Sequence, residues 1–389
     1  MSSSIRCPAS RCRPVRSCAI TRARALTCLV PLLGGCAAEF DPGSELAGLR
    51  VLAVKKSAPY ARPGSQVDLE LLWSDTVPER APPEIAWLAF CQNPPADLFE
   101  SCFSQVPTAP DAAQLAQLAA RASLPTAGAE RANDHFSFQT SPDIIRSRPP
   151  PKDRTTVPYG LDYVLFAVCA GTLELRSDRP FPFVCYQEQD DEPGLSSGDV
   201  ELGPSDFVVG YTAVFAYDEL TNQNPLFSGV QWEGLELRPG ESPSRAGEPM
   251  GGALAPEDLC IGGACPPAVA GLPPSVCHEA LTLEACPDTD SCDQVELTPV
   301  LDPTSAEPDA AASALRANTL GEQMWVNFYA SEGSVSEEVR LLNDAAEGWN
   351  PDPDTKYKPG KEPGVAYLWS VAHDNRGGVE WARLRICIR

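Results

Sequence analysis

Histidine is scarce in this chain of 389 residues, which contains only His135, His278 and His373. His135 follows Asp134 and His373 precedes Asp374, so a Ser-His-Asp arrangement can be imagined. The sequence lacks, however, a G-x-S-x-G elbow set between a strand and a helix, and it lacks the H-E-x-x-H pattern. Adjacent His–Asp pairs at strand ends are usually solvated turn residues. We therefore predict no catalytic residues and a non-enzymatic protein; the alternative is a secreted hydrolase or carbohydrate-acting enzyme.

Positive charge is also in short supply. Lysine and arginine number 30 against 53 aspartates and glutamates, a formal net charge of −23, and six of the arginines lie in the first 36 residues. Without that segment the balance is 24 − 53 = −29. Such a surface is a poor partner for nucleic acid and is repelled by anionic lipid headgroups. Neither a P-loop nor a dinucleotide fingerprint is present, so nucleotide chemistry has no support.

The chain also lacks an apolar run of the roughly 20 residues that a membrane-spanning helix requires. The apolar segment Ala25 to Leu33 follows the six arginines and is too short to span a bilayer. A basic segment, a short apolar segment and small residues are typical of a secretory signal. This one ends in Leu33-Gly34-Gly35-Cys36, which resembles the lipobox of bacterial lipoproteins.

The lipobox resemblance has consequences for the start of the chain and for its location. It implies a signal peptide over residues 1–35, a diacylglycerol on the thiol of Cys36, cleavage just before Cys36 and acylation of the new amine. Residues 36–48 would be the lipidated cysteine and its tether. The protein would be a lipid-anchored component of the cell envelope, on the outer membrane. An ordinary cleaved signal with a chance cysteine is the alternative.

Ten cysteines follow the lipobox, and an exported protein is expected to oxidise them. Close spacing suggests the pairs Cys91–Cys102, Cys169–Cys185 and Cys260–Cys265. Cys286–Cys292 is plausible, which leaves Cys277 with Cys387. Spacing does not fix connectivity, so other pairings stay open. A zinc site made from Cys260, Cys265, Cys277, His278, Cys286 and Cys292 is disfavoured, because the spacings are looser than Cys-x₂-Cys.

We predict no cofactor. If a metal binds, calcium is the one that the sequence favours. The stretch CPDTDSCD places Asp288, Asp290 and Asp293 on one short loop. Two further acidic stretches are NPDPDT, with Asp352 and Asp354, and QEQDDEPG, with residues 190–192. Carboxylates on such loops suit calcium, but none matches an EF-hand and acidic runs are usually just solvated.

Alternating apolar residues predict an all-β chain. In QVDLELLW, the residues Val67, Leu69, Leu71 and Trp73 alternate with polar ones, which is the period of a strand with one buried face. Many short strands of this kind predict two β-sandwiches, over residues 49–222 and 223–389. The first carries a long insertion with one helix, Ala112 to Ser123, and the second a Cys- and Pro-rich insertion over residues 238–292.

Both halves resemble bacterial immunoglobulin-like modules, and LWSVAHDNRGGVEWARLRI in the second is similar to the end of a PKD-type domain. The segments AFCQNPPADLFESC and VVGYTAVFAYDELTNQNP are similar to surface lipoproteins of myxobacteria. The resemblance implies immunoglobulin-like folds with disulfide-stapled insertions. It implies no particular activity.

Sugar binding would require exposed aromatic rings. Trp73, Trp87, Trp325 and Trp369 sit on strand faces and are interpreted as core, which leaves Trp349 as the one tryptophan plainly outside a strand. We predict a binding or scaffolding module of the envelope, whose partner is a protein or glycan and not nucleic acid. Its stapled insertions are expected to form the recognition surface.

Overall fold

The computed structural model describes residues 43–78, 80–105, 121–125, 133–151, 156–176, 183–187, 200–287, 292–309, 313 and 319–389. These residues belong to one compact unit, Pro42–Arg389. Within them, no helix is long and apolar enough to cross a membrane. The chain is all-β, as its alternating pattern predicted.

The strands of the first half are β1 (Leu49–Lys56), β2 (Tyr60–Ala61), β3 (Gln66–Asp75), β4 (Glu84–Gln92), β5 (Ala122–Ser123), β6 (His135–Gln139), β7 (Gly160–Cys169), β8 (Thr172–Leu175), β9 (Phe183–Gln187), β10 (Val200–Glu201) and β11 (Phe207–Ala216). Those of the second half are β12 (Phe227–Trp232), β13 (Leu235–Leu237), β14 (Ser244–Arg245), β15 (Glu248–Pro249), β16 (Leu259–Ile261), β17 (Thr282–Leu283), β18 (Val295–Leu301), β19 (Met324–Ala330), β20 (Ser334–Val335), β21 (Val339–Asp344), β22 (Gly348–Trp349), β23 (Thr355–Lys358), β24 (Gly364–Asp374) and β25 (Val379–Ile388). Short 3₁₀ helices cover Pro95–Asp97, Phe99–Gln105, Gly262–Ala264, Pro274–Val276, Glu279–Leu281 and Pro303–Ser305.

The first sandwich packs the sheet β1-β3-β6 against the sheet β2-β11-β7-β4-β5. The alternation in β3 turns Val67, Leu69 and Leu71 inward, and they share one buried cluster with Trp87 and Phe166 of the opposite sheet. Strand β2 pairs in parallel with β11 and so belongs to the second sheet. The chain therefore passes from one sheet to the other directly after β1. A small third sheet, β10-β9-β8, is inserted between β7 and β11.

The central strands of the second sandwich repeat this order, and β13, β14, β15, β16, β20 and β22 are added to it. Its first sheet contains β12-β18-β23 and its second contains β25-β24-β19-β21, with β17 running parallel to β25 as β2 runs parallel to β11. Three strands facing a sheet led by a short parallel edge strand is the Greek-key order of an immunoglobulin-like sandwich. The predicted fold class is confirmed in both halves.

The predicted helix Ala112 to Ser123 is wrong at its end. Ala122 and Ser123 form β5, which pairs with Trp87 and Leu88, and the amide of Ala89 donates to the carbonyl of Arg121 at 2.8 Å. Residues 112–120 lie outside the described residues. An edge strand offers unpaired backbone groups, and pairing with β4 satisfies them in a way that a helix does not.

Part of the predicted tether is ordered against the second sandwich. Ser44 and Leu46 exchange backbone hydrogen bonds with Ala330 at 2.9 and 3.0 Å, and the hydroxyl of Ser44 donates to Glu338 at 3.2 Å. The polar, glycine-containing sequence did not predict this pairing, because the partner strand lies almost 300 residues further along the chain.

An apolar interface joins the two sandwiches. Leu52 and Leu72, from β1 and β3, share a buried cluster with Val371, Trp369 and Trp381 from β24 and β25. An ion pair of 2.7 Å joins Lys55 to Glu380 beside this cluster. Modules of one chain move independently unless their interface is large and hydrophobic, so this contact favours a rigid pair.

Replacing Trp369 by alanine should lower the free energy of unfolding by about 3–5 kcal/mol, because the indole is 1% exposed and its removal leaves a cavity. Calorimetry should show one transition for the wild type and two for the variant, since the lost contact couples the sandwiches. Trp349→Ala is the matched control, because that indole is 38% exposed. A loss below about 1 kcal/mol for Trp369→Ala would contradict the interface.

Candidate binding surface on the first sandwich

The three histidines do not come together. The Nε2 of His135 lies 3.7 Å from the Asp134 carboxylate on an exposed side chain, while the ring of His278 contacts the backbone of Gly252 and Ala280. His373 is buried against the Trp325 ring, and burial lowers its pKa to about 4 although Asp374 opposes the shift. Among the described residues no serine or cysteine side chain is hydrogen-bonded to a histidine ring.

A short stretch of the first half matches the serine nucleophile motif by its residue letters. Residues 194–198 read Gly-Leu-Ser-Ser-Gly and so match the letters G-x-S-x-G. They follow an acidic stretch of sequence, with no helical pattern after them, and they lie outside the described residues. A match to the motif without a strand before it and a helix after it does not identify Ser196 as a nucleophile.

The cysteines form the five pairs that their spacing suggested. These are Cys91–Cys102, Cys169–Cys185, Cys260–Cys265, Cys277–Cys387 and Cys286–Cys292. Since all ten thiols are joined, the considered zinc site has no thiolate to offer.

Most of the predicted calcium ligands lie outside the residues that the structure describes. Asp288, Asp290 and residues 190–192 lie outside the described residues, while Asp293 is exposed. Asp352 and Asp354 share a hydrogen bond, and this bond and their mutual repulsion raise the pKa of Asp352. In the part of the chain that the structure describes, no group of three or more metal-binding side chains occurs. Calcium stays a prediction for the Asp288 loop.

Aromatic side chains gather instead on the outer side of the five-stranded sheet. Strand β11 turns Thr212, Val214 and Ala216 into the core, so Tyr211 and Phe215 project outward. The surface, here called the tyrosine face, consists of Tyr60, Phe99, Tyr159, Tyr163, Tyr211, Phe215 and Tyr217. No sequence pattern predicted this surface. Its rings are partly buried, apart from Tyr211, which is 51% exposed.

The rings contact one another in two groups. In the first, Phe99 stacks on Tyr211 with centroids 3.9 Å apart, and Tyr163 meets Tyr211 edge-on at 5.4 Å. The register explains this contact, because Tyr163 lies opposite the small Ala213 and so next to Tyr211 on the diagonal. In the second group, Tyr217 lies 4.6 Å from Tyr60 and 6.0 Å from Tyr159, which also contacts Phe215 at 5.6 Å.

Asp97 links the two ring groups. Its carboxylate accepts hydrogen bonds from the hydroxyl of Tyr159 and from Arg148, and its carbonyl accepts one from the hydroxyl of Tyr163 at 2.8 Å. Burial alone would raise the pKa of Asp97, but the bonds from Arg148 and Tyr159 outweigh it and lower the pKa. The guanidinium of Arg148 also lies 4.0 Å from the Tyr159 ring centroid, within cation–π distance.

A strained turn presents Asp97. Asn93, Ala96 and Asp97 all have φ between 46° and 57°, a region that residues other than glycine seldom occupy. The amide of Asn93 compensates by donating to the carbonyl of Ile144 at 2.6 Å and accepting from the amide of Leu161 at 2.9 Å. Strain of this kind is concentrated at functional sites, which supports a role for the turn.

Clefts with cationic groups flank the second ring group. A cleft of about 650 Å³ is lined by Arg146, Arg148 and Tyr159 together with a run of prolines. Another, of about 310 Å³, is lined by Lys56, Tyr60, Ala213, Phe215, Tyr217, Asn375, Arg376 and Gly377. Burial lowers the pKa of Lys56 to about 8, against the opposing charge of Asp374.

The comparisons with known proteins add little. No family model matches the chain, and no curated protein matches it. The solved structures include a likeness to the three N-terminal domains of the bacteriophage RB49 Highly Immunogenic Outer Capsid protein (Hoc). It covers 88% of this chain and 99% of that one, at 8% identity and a TM-score of 0.14. At that score the likeness carries no argument about fold or function.

Proposed function

We propose that this protein is a lipid-anchored lipoprotein of the bacterial cell envelope that binds an acidic glycan on its tyrosine face. The signal-like leader and the lipobox resemblance support export and anchoring at the outer membrane. The observation that carries the binding role is the tyrosine face itself, which holds seven rings in two groups, with cationic side chains in the clefts beside the second group.

The mixed chemistry of the face favours a glycan over an apolar protein surface. Aromatic rings stack on the C–H faces of sugars, whereas hydroxyls, carboxylates and guanidinium groups bind sugar hydroxyls. Tyr159 and Tyr163 present hydroxyl groups next to Asp97 and Arg148, so both kinds of contact lie within one surface.

Charge favours an acidic glycan over a neutral one. The chain carries a net charge of −23, yet Arg146 lines one cleft of the face, together with Arg148 in its ion pair with Asp97, and Lys56 lines the other. Lys56 contacts the carbonyl of Ala213 at 3.3 Å, and among the described residues no carboxylate oxygen lies within 4 Å of its ammonium. An acidic sugar would supply that counter-charge.

Replacing Tyr211 by alanine should weaken binding of the detergent-solubilised mature protein to alginate roughly 2- to 12-fold, the range that corresponds to about 0.5–1.5 kcal/mol for an aromatic stack. Calorimetric titration with alginate, and with neutral dextran for comparison, measures the effect. Wild-type protein should prefer alginate.

Trp349→Ala is the matched control, because it removes an exposed ring from the second sandwich. If Trp349→Ala weakens alginate binding as much as Tyr211→Ala does, the tyrosine face is not the site. Equal binding of dextran and alginate would contradict the charge argument and leave a neutral glycan as the ligand.

A further inference from the structure

A crevice of about 780 Å³ lies between the two sandwiches, on the side away from β11. Its walls include Trp73 from the first sandwich and Trp369, Trp381 and Arg383 from the second, with prolines of the Cys-rich insertion closing one side. Ligand sites are typically apolar concavities of 300–1,000 Å³ at such interfaces, with a few polar groups that fix orientation. The crevice has this size, and its lining combines the tryptophans and prolines with one guanidinium and several carboxylates.

Arg383 is the polar group that needs an explanation. Its side chain is 3% exposed and stacks 5.0 Å from the Tyr367 ring centroid, and it donates one hydrogen bond to the carbonyl of Pro266. Its Nε has no acceptor, and within the described ranges no carboxylate oxygen lies within 4 Å of its guanidinium. Arg385, two residues along the same strand, pairs instead with Asp258 at 2.8 Å.

Leaving a buried guanidinium without a counter-charge is costly, because the desolvation of the ion is not recovered. The electrostatics agree with the geometry. Burial lowers the pKa of Arg383 to about 10, with Tyr367 opposing the shift and Arg385 adding to it. An anion in the crevice would remove this penalty.

Trp381 provides a second donor beside the first. It is 2% exposed, and its indole Nε1 has no hydrogen-bond acceptor. Trp381 and Arg383 are two residues apart on β25, so their side chains lie on the same face about 7 Å apart. Two residues of one crevice wall therefore each carry a buried N–H group without an acceptor.

We propose that this crevice binds an organic monocarboxylate with an apolar body. The carboxylate would accept hydrogen bonds from Arg383 and Trp381, and the apolar body would pack on Trp73, Trp369 and the prolines. The lining also carries the carboxylates of Glu70, Asp75, Asp134 and Glu257, which disfavour a second negative charge on the ligand. Burial raises the pKa of Glu70, with Lys55 opposing the shift. This site is separate from the tyrosine face.

Benzoate is the probe, and uncharged benzamide is its isosteric control. Benzoate should raise the melting temperature of the wild-type protein saturably and change its tryptophan fluorescence, and benzamide should do neither. Arg383→Met should abolish the benzoate shift and, without benzoate, melt no lower than the wild type, because an unpaired buried charge is gone. Trp381→Phe keeps the aromatic body and should weaken benzoate binding several-fold.

Arg238→Met, on an exposed arginine, and Tyr211→Ala, on the tyrosine face, should both retain the full benzoate response. The site is refuted if wild-type protein does not respond to benzoate, or if Arg383→Met responds as the wild type does. An unchanged benzoate affinity in Trp381→Phe would also overturn it. Loss of alginate binding in Tyr211→Ala with an intact benzoate response would keep the two sites distinct.

Discussion

Replacing Cys36 by alanine should move the protein from the membrane fraction to the soluble fraction almost completely. A single acyl chain gives only marginal, reversible binding, whereas two or more chains, at about 0.8 kcal/mol for each buried CH₂, hold a protein nearly irreversibly. The processed chain, at a net charge of −29, gains no attraction from anionic headgroups. We therefore expect the lipid to supply essentially all of the membrane affinity.

Labelling with radioactive palmitate, followed by membrane fractionation, measures this effect. Wild-type protein should incorporate label and sediment with membranes, and Cys36→Ala should do neither. Cys28→Ala is a matched control, because it removes a cysteine from the same leader without touching the lipobox. Absence of label in the wild type, or equal label in Cys36→Ala, would refute the anchor and leave an ordinary cleaved signal.

Strand faces were predictable wherever one face is much more polar than the other. The alternation in β3 identified its buried side chains, and in β25 it separated Leu384 and Ile386, which face the core, from Arg383 and Cys387 on the opposite side. These assignments hold because successive side chains of a strand point to opposite faces. In β25 one face enters the core of the second sandwich and the other is buried in the interface cluster.

The tyrosine face was missed for the same physical reason. Both faces of β11 are apolar, so its period of two did not tell which face is inward. The smaller side chains Thr212, Val214 and Ala216 fill the core, and the larger rings point out. The other tyrosines come from β2, from the start of β7 and from the end of β11, and only the sheet order brings them together.

The Cys-rich insertion packs against the interface between the sandwiches, whereas its composition suggested an exposed recognition loop. Its cysteines and prolines predicted a disulfide-stapled insertion that forms a recognition surface. Cys91, Cys169 and Cys387 lie in long strands, and Cys265 and Leu272 of the insertion pack against the interface between the sandwiches. The insertion lies close to the first sandwich, since a Cβ on Gly263 would lie 2.9 Å from the Glu70 carboxylate.

This placement makes Cys277–Cys387 the bridge with the largest effect on stability. It joins the insertion to the fully buried end of β25 and closes a loop of 110 residues, whereas Cys260–Cys265 closes one of five. In the chain-entropy model the long loop corresponds to about 5 kcal/mol and the short one to about 2 kcal/mol. Reduction should therefore weaken the second sandwich itself, and not only free its loops.

The double variant Cys277→Ala/Cys387→Ala should accordingly lose about 5 kcal/mol in denaturant unfolding, and proteases should cut it within residues 262–276, because the covalent link from Cys277 to β25 is gone. Cys260→Ala/Cys265→Ala, the matched control, should lose about 2 kcal/mol, because closing a short loop restricts the unfolded chain much less. Equal losses in the two variants would show that loop closure is not the source of the stability. A protease-resistant Cys277→Ala/Cys387→Ala variant would show that packing against the interface holds the insertion without the bridge.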